Sequence, residues 1–89
     1  MAEGTLTKPA YVDKLAAVFA QEFSGAEIDV EQVRGDRYRY IILWKGFDSM
    51  GHPERQELVW DLVEKTVDSA DLLKVAMVLT LGYEDLPQE

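Results

Sequence analysis

The stretch that decides the fold runs from Tyr38 to Trp44 and reads Tyr-Arg-Tyr-Ile-Ile-Leu-Trp. Its aromatic and β-branched residues predict a β-strand, in which alternate side chains point to opposite faces. One face of this strand is then apolar, and its members are Tyr38, Tyr40, Ile42 and Trp44. Because an apolar sheet face must be covered, we expect helices to pack against it.

A second strand is predicted just before the first one. Residues 27–31, Glu-Ile-Asp-Val-Glu, alternate strictly between acidic and aliphatic side chains. If residues 34–36 form a three-residue hairpin loop, Val30 lies opposite Tyr40, Ile28 lies opposite Ile42, and Glu31 lies opposite Arg39. A loop one residue shorter would set apolar side chains against charged ones, so the pattern selects an odd loop length.

A helix is predicted on the N-terminal side of this hairpin. Apolar residues recur every three or four positions from Tyr11 to Phe23, which places them on one face of a helix. Thr7 is a good N-cap and Pro9 suits the first turn, so the helix is predicted to begin at Thr7. Gly25 is predicted to stop it.

A second helix is predicted on the C-terminal side. Pro53 suits its first turn, and one of its sides runs from Arg55 to Thr66 and is mainly aliphatic. A short helical turn is predicted over residues 69–73.

The last predicted element is the nearly continuous apolar run Val75–Leu81, bounded by Lys74 and Gly82. It predicts a strand that is central in the sheet or buried on both faces, with a helix as the alternative because so short a run has no clear period. The element order helix, strand, strand, helix, short helix, strand predicts an α+β fold. We expect a two-layer α/β sandwich with helices on one face of the sheet.

The length of 89 residues fits one domain, predicted over residues 8–86, with a disordered tail at 1–7 and a tail at 87–89. A net charge of -8 argues against attraction to nucleic acid or to an anionic membrane. Neither a signal peptide nor an apolar membrane span is recognisable. We therefore expect a soluble, cytoplasmic protein.

Groups that carry catalysis or bind metals are sparse in this sequence. His52 is the only histidine, and there is no cysteine. A lone histidine in a loop before a helix is more typical of a solvated or capping residue than of a functional imidazole. The sequence predicts no catalytic site, no metal site and no cofactor, so we expect the chain not to be an enzyme.

The outward face of the second strand has a mixed character and leaves two interpretations open. It carries cationic and aliphatic side chains, namely Arg37, Arg39, Ile41, Leu43 and Lys45. Such a stripe suits the docking of an acidic peptide, a partner protein or a nucleic-acid backbone. The other interpretation, which the neighbouring acids favour, is that the cations pair across the strands with Glu27, Asp29 and Glu31.

A longer pattern resembles the BolA-like proteins. In that family a strand ends in a Phe, a short glycine-containing loop follows, and a helix opens with an Arg followed by Leu, Val and an aromatic residue. The residues at those places in this chain are Phe47, Arg55, Leu58, Val59 and Trp60. The element order, the length and the closing residues 83–86 are similar too, so the resemblance extends over residues 12–86.

The resemblance implies a class II KH-like fold and a non-enzymatic adaptor or regulatory role. It further implies binding to a monothiol glutaredoxin, with which BolA-like proteins share a [2Fe-2S] cluster in iron–sulfur trafficking or iron sensing. Some members are instead linked to transcriptional regulation and the stress response.

Two departures from the family concern the cluster ligands. Where the last strand of the family begins with a ligating histidine, this chain has Lys74, and an ammonium group is a poor ligand for iron. A second ligand normally comes from a longer loop between the first two strands, which residues 34–36 replace. The Gly-x-x-Gly clamp of nucleic-acid-binding KH domains is also missing.

The contact surface predicted from the sequence combines Arg37, Arg39 and Lys45 with the loop from Phe47 to His52 and with Arg55 at the helix start. We expect this surface to bind a partner protein, with a monothiol glutaredoxin as the partner that the resemblance implies. The alternative is a nucleic-acid-binding regulator that uses the same cations.

Overall fold

The computed structural model describes residues 10–86 and arranges them in a helix layer and a sheet layer. The elements are α1 (Ala10–Glu22), β1 (Glu27–Arg34), β2 (Arg37–Leu43), α2 (His52–Thr66), α3 (Ser69–Leu72) and β3 (Val75–Leu81), with 3-10 turns at Lys45–Ser49 and Tyr83–Asp85. The predicted α+β fold and element order are confirmed. The predicted tails at 1–7 and 87–89, and the helix start at Thr7 and Pro9, lie outside the described residues.

The three strands form one mixed sheet in the order β1-β2-β3. β1 runs antiparallel to β2, and the pairs Val30–Tyr40, Ile28–Ile42 and Glu31–Arg39 face each other as predicted. β3 runs parallel to β2. The strand that decides the fold is therefore the central one.

The prediction of a three-residue hairpin loop is wrong, although an odd number of residues does separate the paired segments of the two strands. The turn holds only Gly35 and Asp36, and Gly35 has a φ of 54°. The additional residue is Val33, where the register shifts between Gln32 and Arg34. A bulge of this kind leaves one residue unpaired in the ladder. The additional residue that makes this number odd therefore lies within β1 and not in the turn.

The prediction that the last strand is central or buried on both faces is also wrong. β3 is an edge strand, since it pairs with β2 alone. Its inward side chains Val75, Val78 and Thr80 are buried, whereas Met77 and Leu79 are 47% and 40% exposed. The run is apolar on both faces, but the helices cover only one of them.

The core lies between the inward face of the sheet and helices α1 and α2. The Tyr40 side chain is fully buried, and its hydroxyl donates a hydrogen bond to the Val12 carbonyl at 3.0 Å. Gly25, with a φ of 85°, follows α1 and allows the chain to turn into β1, as predicted. The buried apolar residues are Tyr11, Val12, Leu15, Phe19, Phe23, Tyr38, Tyr40, Ile42, Phe47, Val59, Val63, Val67, Val75 and Val78.

Between residues 10 and 86, no helix is long and apolar enough to cross a bilayer.

Candidate functional site

The face of the sheet that points away from the helices is open to solvent. Because Tyr38, Tyr40 and Ile42 point inward, the alternate residues of β2 and their partners on β1 and β3 point outward. We call this surface the open sheet face. Its residues are Glu27, Asp29, Glu31, Arg37, Arg39, Ile41, Leu43, Met77, Leu79 and Leu81.

An apolar strip crosses the open sheet face from β2 to β3. Leu79 lies beside Ile41 and Leu81 lies beside Leu43 in the parallel ladder. Leu79 and Met77 are exposed, and Ile41, Leu43 and Leu81 are half-buried. Contiguous exposed apolar side chains, unlike single ones, are typical of interaction surfaces. The β3 half of this strip was not predicted from the sequence, although the continuous apolar run was its signal.

Only one of the three acidic residues on β1 finds a cation across the strands. Arg39 and Glu31 form an ion pair in which Arg39 Nε lies 2.9 Å from Glu31 Oε1. The pairing interpretation is confirmed for this pair. Asp29 faces Ile41 and Glu27 faces Leu43, so both carboxylates have an aliphatic residue as their cross-strand neighbour.

These two carboxylates border a shallow depression at one end of the open sheet face. The depression has a volume of about 390 Å³ and is lined by Glu27, Ile28, Asp29, Ile41, Leu43 and Leu81. It is therefore aliphatic at its floor and acidic along the β1 side.

The structure does not bring all of the predicted contact residues together. Arg37 begins β2, whereas Lys45 and His52 follow beyond the other end of that strand. At about 3.3 Å per residue, β2 alone separates them by roughly 20 Å. All three side chains are exposed, but they lie at opposite ends of the open sheet face.

The prediction that Phe47 and Arg55 belong to the contact surface is wrong, because both side chains are buried. Phe47 is fully buried, and its ring packs 5.3 Å from that of Phe23 and 5.2 Å from that of Trp44, between ring centroids. Arg55 is only 5% exposed. Neither side chain is available to a partner, because the core and the turns around it enclose both.

Arg55 instead connects three segments of the chain. Its Nε donates to the Met50 carbonyl at 3.1 Å, and its Nη1 donates to the Thr80 carbonyl at 3.3 Å. Nη1 also lies 2.7 Å from Asp85 Oδ2. The Gly82 N–H and the Arg55 guanidinium together hold the pKa of Asp85 below its usual range. Arg55 is therefore a structural residue of this fold.

Lys74, immediately before β3, is held by two carboxylates. Its Nζ lies 3.2 Å from Asp71 Oδ1 and 3.4 Å from Asp36 Oδ2, and both partners raise its pKa. The Tyr11 hydroxyl is 3.0 Å from the carbonyls of both Lys74 and Asp36. Burial, followed by the charge of Asp36, raises the pKa of Tyr11 to about 12. The hairpin turn, α1 and the start of β3 thus meet around this ammonium group.

Comparison with known proteins identifies the fold. No family model matches the sequence, and no curated protein sequence matches it either. The structure, however, is similar to that of BolA1 from Arabidopsis thaliana, with a TM-score of 0.65 over 86% of this chain and 96% of that chain, at 19% sequence identity. The chain has a BolA-like fold. The resemblance to BolA-like proteins is thereby confirmed in its architecture.

The side chains of this BolA-like fold do not fit a [2Fe-2S] cluster at the place that the resemblance implies. The residue there is Lys74, whose ammonium is engaged by Asp36 and Asp71. The sequence contains no cysteine, and His52 lies at the start of α2, near Asp85 and beyond the far end of β3. Among residues 10–86, no three potential metal-binding side chains are grouped together.

Proposed function

We propose that this chain is a non-enzymatic BolA-like adaptor that binds a partner protein through its open sheet face and contributes no metal ligand of its own. One observation carries this proposal. Within residues 10–86, no helix or turn covers the apolar strip of Ile41, Leu43, Met77, Leu79 and Leu81, while helices cover the other face of the same sheet.

The shape of the open sheet face supports binding over catalysis. Its depression is shallow and is lined by aliphatic side chains and two carboxylates, with no hydroxyl, thiol, imidazole or amine group beside them. Such a surface accommodates a side chain of a partner, whereas a reacting substrate needs convergent polar groups in an enclosed site.

A monothiol glutaredoxin is the partner that we propose to test first, because the BolA resemblance points to it. We infer a cytoplasmic role on the iron–sulfur pathway or in the stress response. In this role the domain docks onto its partner without sharing a cluster, since Lys74 occupies the ligand position.

Nucleic-acid binding receives less support from the described residues. Four of their cations pair with carboxylates: Arg39 with Glu31, Arg55 with Asp85, Lys65 with Asp61, and Lys74 with Asp36 and Asp71. Arg55 is buried. With a net charge of -8, few cations remain to replace the counterions of a phosphate backbone.

A titration of the ¹⁵N-labelled protein with the monothiol glutaredoxin of the same organism tests the proposal. We expect amide shifts on β2 and β3, and a Leu79→Asp variant that binds at least tenfold more weakly. Leu73→Asp is the matched control, because Leu73 is 79% exposed and precedes β3 outside the open sheet face. Circular dichroism checks that both variants are folded.

Four results would contradict the proposal or its choice of partner. No binding rejects the glutaredoxin as partner. Shifts confined to α1 and α2, or a loss on Leu73→Asp without one on Leu79→Asp, reject the open sheet face. Binding of duplex DNA or RNA that falls steeply with added salt supports the nucleic-acid regulator instead.

A further inference from the structure

We propose that the segment of the partner that sits on the open sheet face is a cationic amphipathic one. Its aliphatic side chains cover the apolar strip at Ile41, Leu43 and Leu79, and a Lys or Arg side chain reaches Glu27 and Asp29. This inference rests on the proposed function and specifies the chemistry of the partner.

The first support is the difference between Glu31 and the other two acids on β1. All three lie on the same face at alternate positions, but the cross-strand neighbour is Arg39 for Glu31, Ile41 for Asp29 and Leu43 for Glu27. Cross-strand pairs of opposite charge stabilise a sheet, and a carboxylate beside an aliphatic residue lacks that stabilisation. A cation on the partner supplies it at both positions.

The second support is the depression between these carboxylates and the apolar strip. Its volume of about 390 Å³ and its lining by Glu27, Asp29, Ile41, Leu43 and Leu81 combine an apolar floor with an acidic rim. Lys and Arg side chains pack their methylene stems on apolar surface while the charged head reaches a polar group. A single side chain of this type therefore matches both parts of the depression.

The charge of the whole molecule favours a cationic partner over a second copy of this chain. A second copy would also carry a net charge of -8, and self-repulsion opposes its approach. The two cations of the open sheet face do not neutralise Glu27 and Asp29. Arg39 is paired with Glu31, and Arg37 lies at the opposite end of β2. The binding segment is thus oriented with its cation toward the start of β1.

Two synthetic peptides provide the probe. One is a 14-residue amphipathic peptide of Leu and Lys, and the other has Glu in place of every Lys. We expect the Lys peptide to shift the amides of Asp29, Ile41 and Leu79 in the ¹⁵N-labelled protein, with an affinity that falls as salt is added. The Glu peptide is expected to leave these amides unchanged.

A pair of charge-matched double variants isolates the acidic rim. We expect Glu27→Gln/Asp29→Asn to lower the affinity for the Lys peptide about tenfold, a loss typical of removing charge-assisted contacts. Glu54→Gln/Glu57→Gln removes the same charge from the exposed side of α2, where these residues border another depression with Met50 and Leu58. This control is expected to change the affinity less than twofold.

Five outcomes overturn the inference. They are no binding of the Lys peptide, equal losses in the two double variants, Lys-peptide shifts that map to α2, equal binding of the Glu peptide, and a dimer of the free protein in sedimentation whose interface is the open sheet face. The proposed function fails separately. If Leu79→Asp weakens glutaredoxin binding while the Lys peptide does not bind, only the cationic segment is rejected. If the Lys peptide binds while Leu79→Asp leaves glutaredoxin binding unchanged, the open sheet face is rejected as the glutaredoxin site and remains a site for a cationic segment of another partner.

Discussion

Nη1 of Arg55 lies 2.7 Å from Oδ2 of Asp85, which joins the start of α2 to the Tyr83–Asp85 turn. The same nitrogen donates to the carbonyl of Thr80 on the edge strand, and the guanidinium lies 5.7 Å from the centroid of the Phe47 ring. Gln56, the next residue, donates to the carbonyl of Val78 at 3.3 Å. Side chains of α2 therefore bind two carbonyls on the free edge of β3, which leaves this edge less open to pairing with another strand.

Removal of the Arg55 side chain is expected to destabilise the domain without a selective effect on partner binding. In Arg55→Ala, the carbonyls of Met50 and Thr80 lose the Arg55 donor, and the carboxylate of Asp85 keeps only the Gly82 N–H. We expect the free energy of unfolding to fall by about 3 kcal/mol, measured by urea denaturation. Arg37→Ala, at an exposed site, is the control and should change it by less than about 0.5 kcal/mol. Unchanged stability in Arg55→Ala would contradict the structural role.

Acid should weaken the fold in part through Asp85. Its pKa lies below the ordinary value of 3.8 because the carboxylate accepts from the Gly82 N–H and from Arg55. The Asp85 carboxylate therefore binds a proton more readily in the unfolded chain than in the folded one. The stability that Asp85 contributes is fully present above its unfolded pKa and is lost as the pH falls through the folded one. Urea midpoints should thus fall less for Asp85→Asn than for the wild type between about pH 5 and about pH 2. Parallel curves for the two proteins would refute this.

The hairpin illustrates how far the sequence predicts this fold. Strict alternation in residues 27–31 and in β2 is sufficient to predict the pairing of Val30 with Tyr40, because a slip of one residue would bury charges. Alternation determines whether the number of intervening residues is odd, but not where the additional residue lies. The position of the bulge at Val33 could therefore be found only from the structure.

The candidate site was harder to predict, for two physical reasons. An apolar run such as Val75–Leu81 looks the same whether its second face is covered or open. The burial of Arg55 depends on Thr80 and Asp85, which are 25 and 30 residues away along the chain. The helical spacing places Arg55 on the mainly aliphatic side of α2, which was a signal for its burial, but the groups that receive its hydrogen bonds are too distant in the sequence to be predicted.

A side chain at Gly82 should disrupt the contact between the two 3-10 turns. Asp48 Oδ1 accepts the Glu84 N–H at 2.9 Å, and a Cβ on Gly82 would overlap this carboxylate. We expect Gly82→Ala to lower the free energy of unfolding by about 2 kcal/mol, as overpacking does elsewhere. In an Asp48→Ala background the loss should be smaller, because the overlapping carboxylate is gone. Gly51→Ala, where the nearest atom is Pro53 Cδ at 3.7 Å, is the matched control. Equal losses with and without Asp48 would exclude this contact as the cause.

The replacement of Lys74 by histidine should give the domain an iron ligand for a [2Fe-2S] cluster in a complex with a glutaredoxin. In the wild type, the ammonium between Asp36 and Asp71 offers iron no lone pair, whereas the imidazole of Lys74→His is a good ligand. We expect visible absorption of a [2Fe-2S] cluster to co-elute with the mixed complex for Lys74→His alone, in size-exclusion chromatography after anaerobic iron and sulfide loading. Lys74→Gln is the control, because it removes the charge without adding an imidazole. A coloured mixed complex with the wild type or with Lys74→Gln would mean that cluster binding in the complex does not depend on the residue at this position.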